Sequence, residues 1–251
     1  MTKVLEQLFD LSQLLHLPRF LVTLRAVVLA PLTFFAHYRQ VVEHRQAKFS
    51  EVNAEAPDDP YMGPAKFAGL ALLIENTLFP LVLSLGLAAG VVSRQFVEFA
   101  DWAEQAGYLD PFAWTGVWFI DDAIQDFFRL ITFYALGVLI CLFSGRRIPL
   151  RFATGYFLYI NAWTLVGTLL NLVFILLAFA LPVYQTGLPQ LIDVLLNLIL
   201  FFMLIGFPIV FWPRLLEAPR SKVALSMLLG FVGWIAAIAV LAPLIIEMPS
   251  F

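Results

Sequence analysis

The run LIDVLLNLILFFMLIGFPIVFW, residues 191–212, decides what kind of fold this chain can adopt. It holds a single charged residue, Asp193, and is closed by Pro189 before it and Pro213-Arg214 after it. A helix of about 20 mostly apolar residues matches the roughly 30 Å hydrocarbon core of a bilayer. A strand of a membrane barrel would instead alternate apolar and polar positions, and this run is continuous, so a β-barrel is excluded.

Four more runs of the same character lie on either side: Phe67 to Val92, Phe127 to Ser144, Tyr156 to Val183 and Val223 to Ile246. The composition agrees. Of the 251 residues, 61 % are hydrophobic and 13 % charged, against roughly 45–50 % and about 25 % in soluble domains. So few charges cannot cover a water-soluble globule, which excludes a cytosolic or secreted enzyme. With 15 Lys+Arg against 18 Asp+Glu and a net charge of -3, there is no basic footprint for nucleic acid. The single cysteine, Cys141, permits no intramolecular disulfide. The expected fold is all-α: a bundle of five transmembrane helices (67–92, 127–144, 156–183, 191–212 and 223–246) forming a membrane domain over 67–251.

Before the first span, residues 1–48 read as an N-terminal interfacial region and 49–66 as a polar cytoplasmic linker. Val4, Leu8, Leu11 and Leu15 recur at helical spacing with Glu6 and Asp10 opposite, an amphipathic pattern. The run Phe20 to Ala36 contains Arg25 and Pro31. A central Arg costs roughly 2.5–3.5 kcal/mol on insertion scales, so this run is expected to lie in the interface. If it crossed, the five later spans would keep their orientation. Lys3, Glu6 and Asp10 interrupt the first stretch and no small-residue cleavage site follows, so targeting is expected to come from the spans.

Orientation follows from Lys and Arg. Lys3, Arg19, Arg25, Arg39, Arg45, Lys48 and Lys66 precede the first span. Arg146, Arg147 and Arg151 fall in the second connection on that side, and Arg214, Arg220 and Lys222 in the third. The other side holds only Arg94 and Arg129. The positive-inside rule then places the N-terminus in the cytoplasm and the C-terminus outside. Arg146, Arg147 and Arg151 sit at headgroup depth and are candidate contacts for anionic lipid. The outside loop Arg94 to Arg129 interleaves acids (Glu98, Asp101, Glu104, Asp110, Asp121, Asp122, Asp126) with Phe and Trp. It reads as interfacial helices, or more sharply as a docking surface for a basic partner or a cation.

Four residues inside the spans are candidates for chemistry. Glu75 and Asn76 lie within the first run, and Asp193 and Asn197, one helical turn apart, share a face of the fourth. An ionisable residue at membrane depth is a functional candidate by default; interhelical hydrogen bonding is the plainer use for it. Asn161 and Asn171 in the third run are expected to serve packing. No P-loop, H-E-x-x-H, C-x-x-C or G-x-S-x-G occurs, so no enzyme, metal site or cofactor is expected.

Two stretches resemble the Yip family of polytopic membrane proteins, named for association with Ypt/Rab GTPases. Asp59-Pro60-Tyr61-Met62-Gly63-Pro64 followed by Phe67 is similar to the family's acidic-x-x-x-Gly-Pro-x-x-Phe lead into its first span. Phe143-Ser144-Gly145 through Phe152-Ala153-Thr154-Gly155-Tyr156 looks like its Gly-rich cytoplasmic turn and Gly-Tyr start to span three. The long loop Arg94 to Arg129 and the interfacial helices before Asp58 depart from the family's pattern. The resemblance implies a membrane-organising adaptor rather than an activity.

The expectation is therefore a non-enzymatic scaffold or accessory subunit that organises lipids and another membrane protein or a second copy of itself. The alternative is a transporter or channel component with a polar path at Glu75/Asn76 and Asp193/Asn197. The single cysteine, the basic N-terminal region and the lack of long disordered tails fit a bacterial inner membrane.

Overall fold

The computed structural model describes residues 17–48, 59–88, 118–145, 147–178 and 187–246. Among these residues every regular element is helical and there is no strand. The amphipathic stretch expected at Val4 to Leu15 and most of the acidic aromatic loop after Arg94 lie outside the described residues.

Helix α1 (Leu17–Leu29) runs into α2 (Pro31–Lys48). Pro31 has no N–H to donate and its ring crowds the preceding turn, so the two are one helix kinked at the proline. Hydrogen bonds from Ala30 N to Ala26 O and from Phe34 N to Ala30 O continue the ladder on either side. Helix α3 (Pro64–Ala88) opens with proline in its first turn, and Phe67 N closes the turn onto Gly63 O. Helix α4 is Trp118–Phe143, α5 Leu150–Tyr159 and α6 Asn161–Ala178, the last two stacked end to end through Ile160. Helix α7 (Leu188–Phe201) continues through a π-helical turn, Phe202–Gly206, into α8 (Phe207–Leu215). Helix α9 (Arg220–Ile246) closes the described chain.

Four of these segments are long and apolar enough to cross a membrane: Asp126–Phe143, Leu150–Phe174, Gln190–Leu215 and Arg220–Ala237. They match the expected second to fifth spans with shifted ends. The third begins at Leu150 rather than Tyr156, because Phe152 to Gly155, expected in a cytoplasmic turn, are buried helix. The second is the end of a longer helix: residues 118–129, counted as outside loop, are the first three turns of α4. The expected first span falls on α3, a helix of 25 residues whose residues beyond Ala88 are outside the described chain.

The core is aromatic and gathers at the end of the bundle where α3, α5 and α9 begin. Phe20 stacks on Phe67 with ring centroids 5.1 Å apart. Phe34 meets Tyr61 and Tyr159 edge-on, and Tyr156 sits between Phe35, Phe207 and Trp212. Residues 17–48 thus do not form a separate region. Phe20, Val27, Phe34 and Phe35 belong to the same core as the spans. Tyrosine hydroxyls tie the ends together, since a buried O–H must find an acceptor. Tyr159 donates to Met62 O at 2.6 Å and Tyr38 to Arg151 O at 2.7 Å.

Pro208 follows the π turn and has no N–H to give to a carbonyl of the preceding turn; within the turn, the Tyr156 hydroxyl donates to Met203 O. Close helix approach depends on small residues. A Cβ added at Gly137 would stand 2.7 Å from Thr154 Cα, and one at Gly155 1.9 Å from the Tyr38 hydroxyl. Helices α4 and α5 could not meet as they do with any larger residue at Gly137.

Candidate functional site

Among the described residues the two buried carboxyl groups of the bundle, Glu75 and Asp126, meet in one cluster built from three helices. Glu75 and Asn76 come from α3, Asp126 and Arg129 from α4, and Thr168 from α6. Arg129 is the hub. Its Nη2 contacts Glu75 Oε2 at 2.9 Å and its Nη1 contacts Asp126 Oδ1 at 2.6 Å, so one planar guanidinium spans two carboxyl groups. Thr168 Oγ1 donates to the other Glu75 oxygen at 3.0 Å. Asn76 Nδ2 donates to Asp126 Oδ2 at 3.0 Å and to Leu72 O in its own helix. Glu75 is 7 % exposed and Asp126 9 %.

Local sequence explains the placement. Asp126 and Arg129 stand three apart on α4 and so share a face. Glu75 and Asn76 are neighbours on α3, a hundred degrees apart, and together straddle the α3–α4 contact. Two buried polar atoms remain without a hydrogen-bond partner, Arg129 Nε and Asn76 Oδ1. Among the described residues no three His, Cys, Asp or Glu side chains come together as a metal site.

Reading the spans one by one found Glu75 and Asn76 but missed their partners. In the sequence, Arg129 closes the outside loop Arg94 to Arg129 and Asp126 stands among that loop's acids. Both lie inside α4 and turn inward. A signal was available: Asp122, Asp126 and Arg129 follow helical spacing directly into the apolar run.

Asp193 and Asn197 are placed differently. Asn197 Nδ2 reaches Asp193 Oδ2 at 3.3 Å along their own helix, on a face of α7 where Asn197 is exposed among Leu191, Val194, Leu195 and Leu198. Asn161 is buried at the α5–α6 junction and donates to Leu158 O; the side chain of Asn171 is outside the described set. Arg147 and Arg151 are exposed at the start of α5, and Arg146 lies outside the described residues.

The fold and this buried cluster define a class: helical integral membrane proteins of several spans. Beyond the class, the comparisons are silent, since no family model, no curated protein and no solved structure matches the chain.

Proposed function

We propose that this protein is a non-enzymatic integral membrane scaffold or accessory subunit of Yip-like type. It has five spans, with α3 as the first, a cytoplasmic N-terminus and an outside C-terminus, in a bacterial inner membrane. The observation that carries the reading is the pairing of both Glu75 oxygens within the bundle. Glu75, the deepest ionisable candidate, is held by Arg129 and Thr168 and serves to join α3, α4 and α6. A buried polar group that is satisfied by its neighbours fixes a bundle's arrangement. Its working surfaces are then the outward apolar faces of α7 and α9 for partner helices, and Arg146, Arg147 and Arg151 for anionic lipid. Tyr159, three residues beyond the second of the two Yip-like stretches, bonds to Met62 and packs on Phe67 of the first, which supports the reading.

The test is purification of the tagged protein in nanodiscs with mass spectrometry of what accompanies it. A stoichiometric membrane-protein partner, retained by Asp193→Asn, is the expected result. A chain that always purifies alone would overturn the accessory role. Deleting residues 1–48 is no test of docking, because it removes Phe20, Phe34 and Phe35 from the core.

A second reading has one observation in its favour. Two carboxyl groups share one guanidinium, so the cluster has room for one more positive charge, a proton or a small cation. On that reading Glu75→Gln abolishes a pH-dependent flux in liposomes; no flux by the parent protein at any pH removes it.

A further inference from the structure

Helix α1 is apolar on both sides. Its inner stripe, Phe20, Thr23 and Val27, is fully buried against α3 and α6. Its outer face carries Leu21, 52 % exposed, and Leu29, 73 % exposed, one turn before and after Arg25, with Val22 and Leu32 beside them. Arg25 is exposed, no carboxylate among the described residues pairs with it, and α1 contains no acid at all. By contrast Arg39, on the second half of the same kinked helix, is held by Glu43 at 2.6 Å and Glu217 at 3.3 Å.

Each environment open to this face can be judged on physical grounds. In water, the helix would expose a continuous leucine patch. In the hydrocarbon interior, the guanidinium would be stranded without a partner charge. At the boundary between headgroups and acyl chains, the leucines enter the leaflet while the Arg side chain reaches out to phosphate. The position of α1 in the fold agrees. Thr23 Oγ1 accepts the N–H of Met62, which fixes α1 at the start of α3. At that end the exposed cations Lys66, Arg147, Arg220 and Lys222 also stand. Exposed Leu21 and Leu29 flank Arg25 on the same face, and an anionic lipid offers acyl chains beside its phosphate, which favours it over an acidic protein helix.

We infer that the outer face of α1 is a binding site for anionic phospholipid, in which Arg25 grips the headgroup phosphate while Leu21 and Leu29 lie among the acyl chains. The inference uses only the membrane class of the protein and is independent of the scaffold reading.

The experiment is native mass spectrometry of the full chain in detergent with added phosphatidylglycerol, phosphatidylcholine or inorganic phosphate. The parent protein should retain phosphatidylglycerol in preference to phosphatidylcholine and should retain no inorganic phosphate. Arg25→Ala should lower that retention about fivefold, as expected for one basic residue at an anionic surface. Arg25→Lys, which keeps the charge but not the guanidinium, should fall between. Leu21→Ser with Leu29→Ser should weaken retention without changing the preference for the anionic lipid. Unchanged retention by Arg25→Ala would overturn the site, as would equal retention of the two lipids. Loss of a co-purifying protein from Arg25→Ala with lipid unchanged would assign the face to a protein partner instead.

Discussion

The spans Leu150–Phe174 and Gln190–Leu215 look alike as apolar helices and do opposite things. The first has a mean hydropathy of 1.6 and is 47 % buried within the protein; the second has a mean hydropathy of 2.7 and is 17 % buried. The more apolar helix is the less buried one. In water this would be reversed, because burial rewards apolar area. In a bilayer, lipid tails are as apolar as leucine, so what draws a helix inward is close packing and hydrogen bonding. Leu150–Phe174 supplies both through Tyr156, Tyr159, Thr168 and Gly155. Gln190–Leu215 keeps Leu191, Leu195 and Leu198 on the outside.

The comparison can be broken most sharply at its tightest contact. Gly137→Leu should prevent α4 from packing on α5, because the first added carbon would stand 2.7 Å from backbone, which cannot move aside. Overpacking of that kind costs about 3 kcal/mol or more, so the detergent-solubilised protein should lose its cooperative thermal transition. Gly167→Ala, whose added carbon would lie 3.6 Å from Leu196 Cδ1, should fold normally. Equal tolerance of both changes would contradict the packing described.

Next in size is the charge cluster. Arg129→Met leaves two buried carboxyl groups without their cation, and breaking a buried ion pair costs on the order of 3–5 kcal/mol. A double-mutant cycle with Glu75→Gln, read by chemical denaturation in detergent, should show strong coupling between the two positions. Additive effects would mean that the 2.9 Å contact stabilises nothing.

A smaller loss is expected at the tyrosine ties. Tyr159→Phe strands the Met62 carbonyl, at a cost of about 1–3 kcal/mol for an unsatisfied buried group. Loosening should appear as faster amide exchange at the start of α3. The least effect belongs to the outer helices: Leu198→Ala and Leu228→Ala, both exposed, should shift stability by about 0.5 kcal/mol or less. A loss of several times that from Leu198→Ala would show that another helix covers this face of α7.

Much of the architecture was legible because it is written in local quantities. Length and hydropathy are properties of a contiguous run, so Asp126–Phe143 and Gln190–Leu215 could be found within a few residues of their ends, and Arg220–Ala237 within a few residues of its start. The start of the third span was missed because Arg151 and Gly155 read as loop residues. In the structure Gly155 is instead the small residue on which the Tyr38 ring rests. The inward face of the N-terminal helix was hidden for a related reason. Arg25 and Pro31 bear on whether this run crosses and say nothing about the opposite face, where Phe20, Val27 and Phe35 enter the core.

The sequence by itself determined that this is a helical membrane protein, which follows from its apolar runs and scarcity of charge. Which charges meet was decided only by the tertiary structure. Glu75 finds Arg129 across 54 residues and Thr168 across 93, and Tyr159 finds Met62 across 97. No periodicity within one helix encodes such pairings. They depend on which faces the helices turn toward one another, and that is set by the small residues and aromatic rings that allow one close packing and no other.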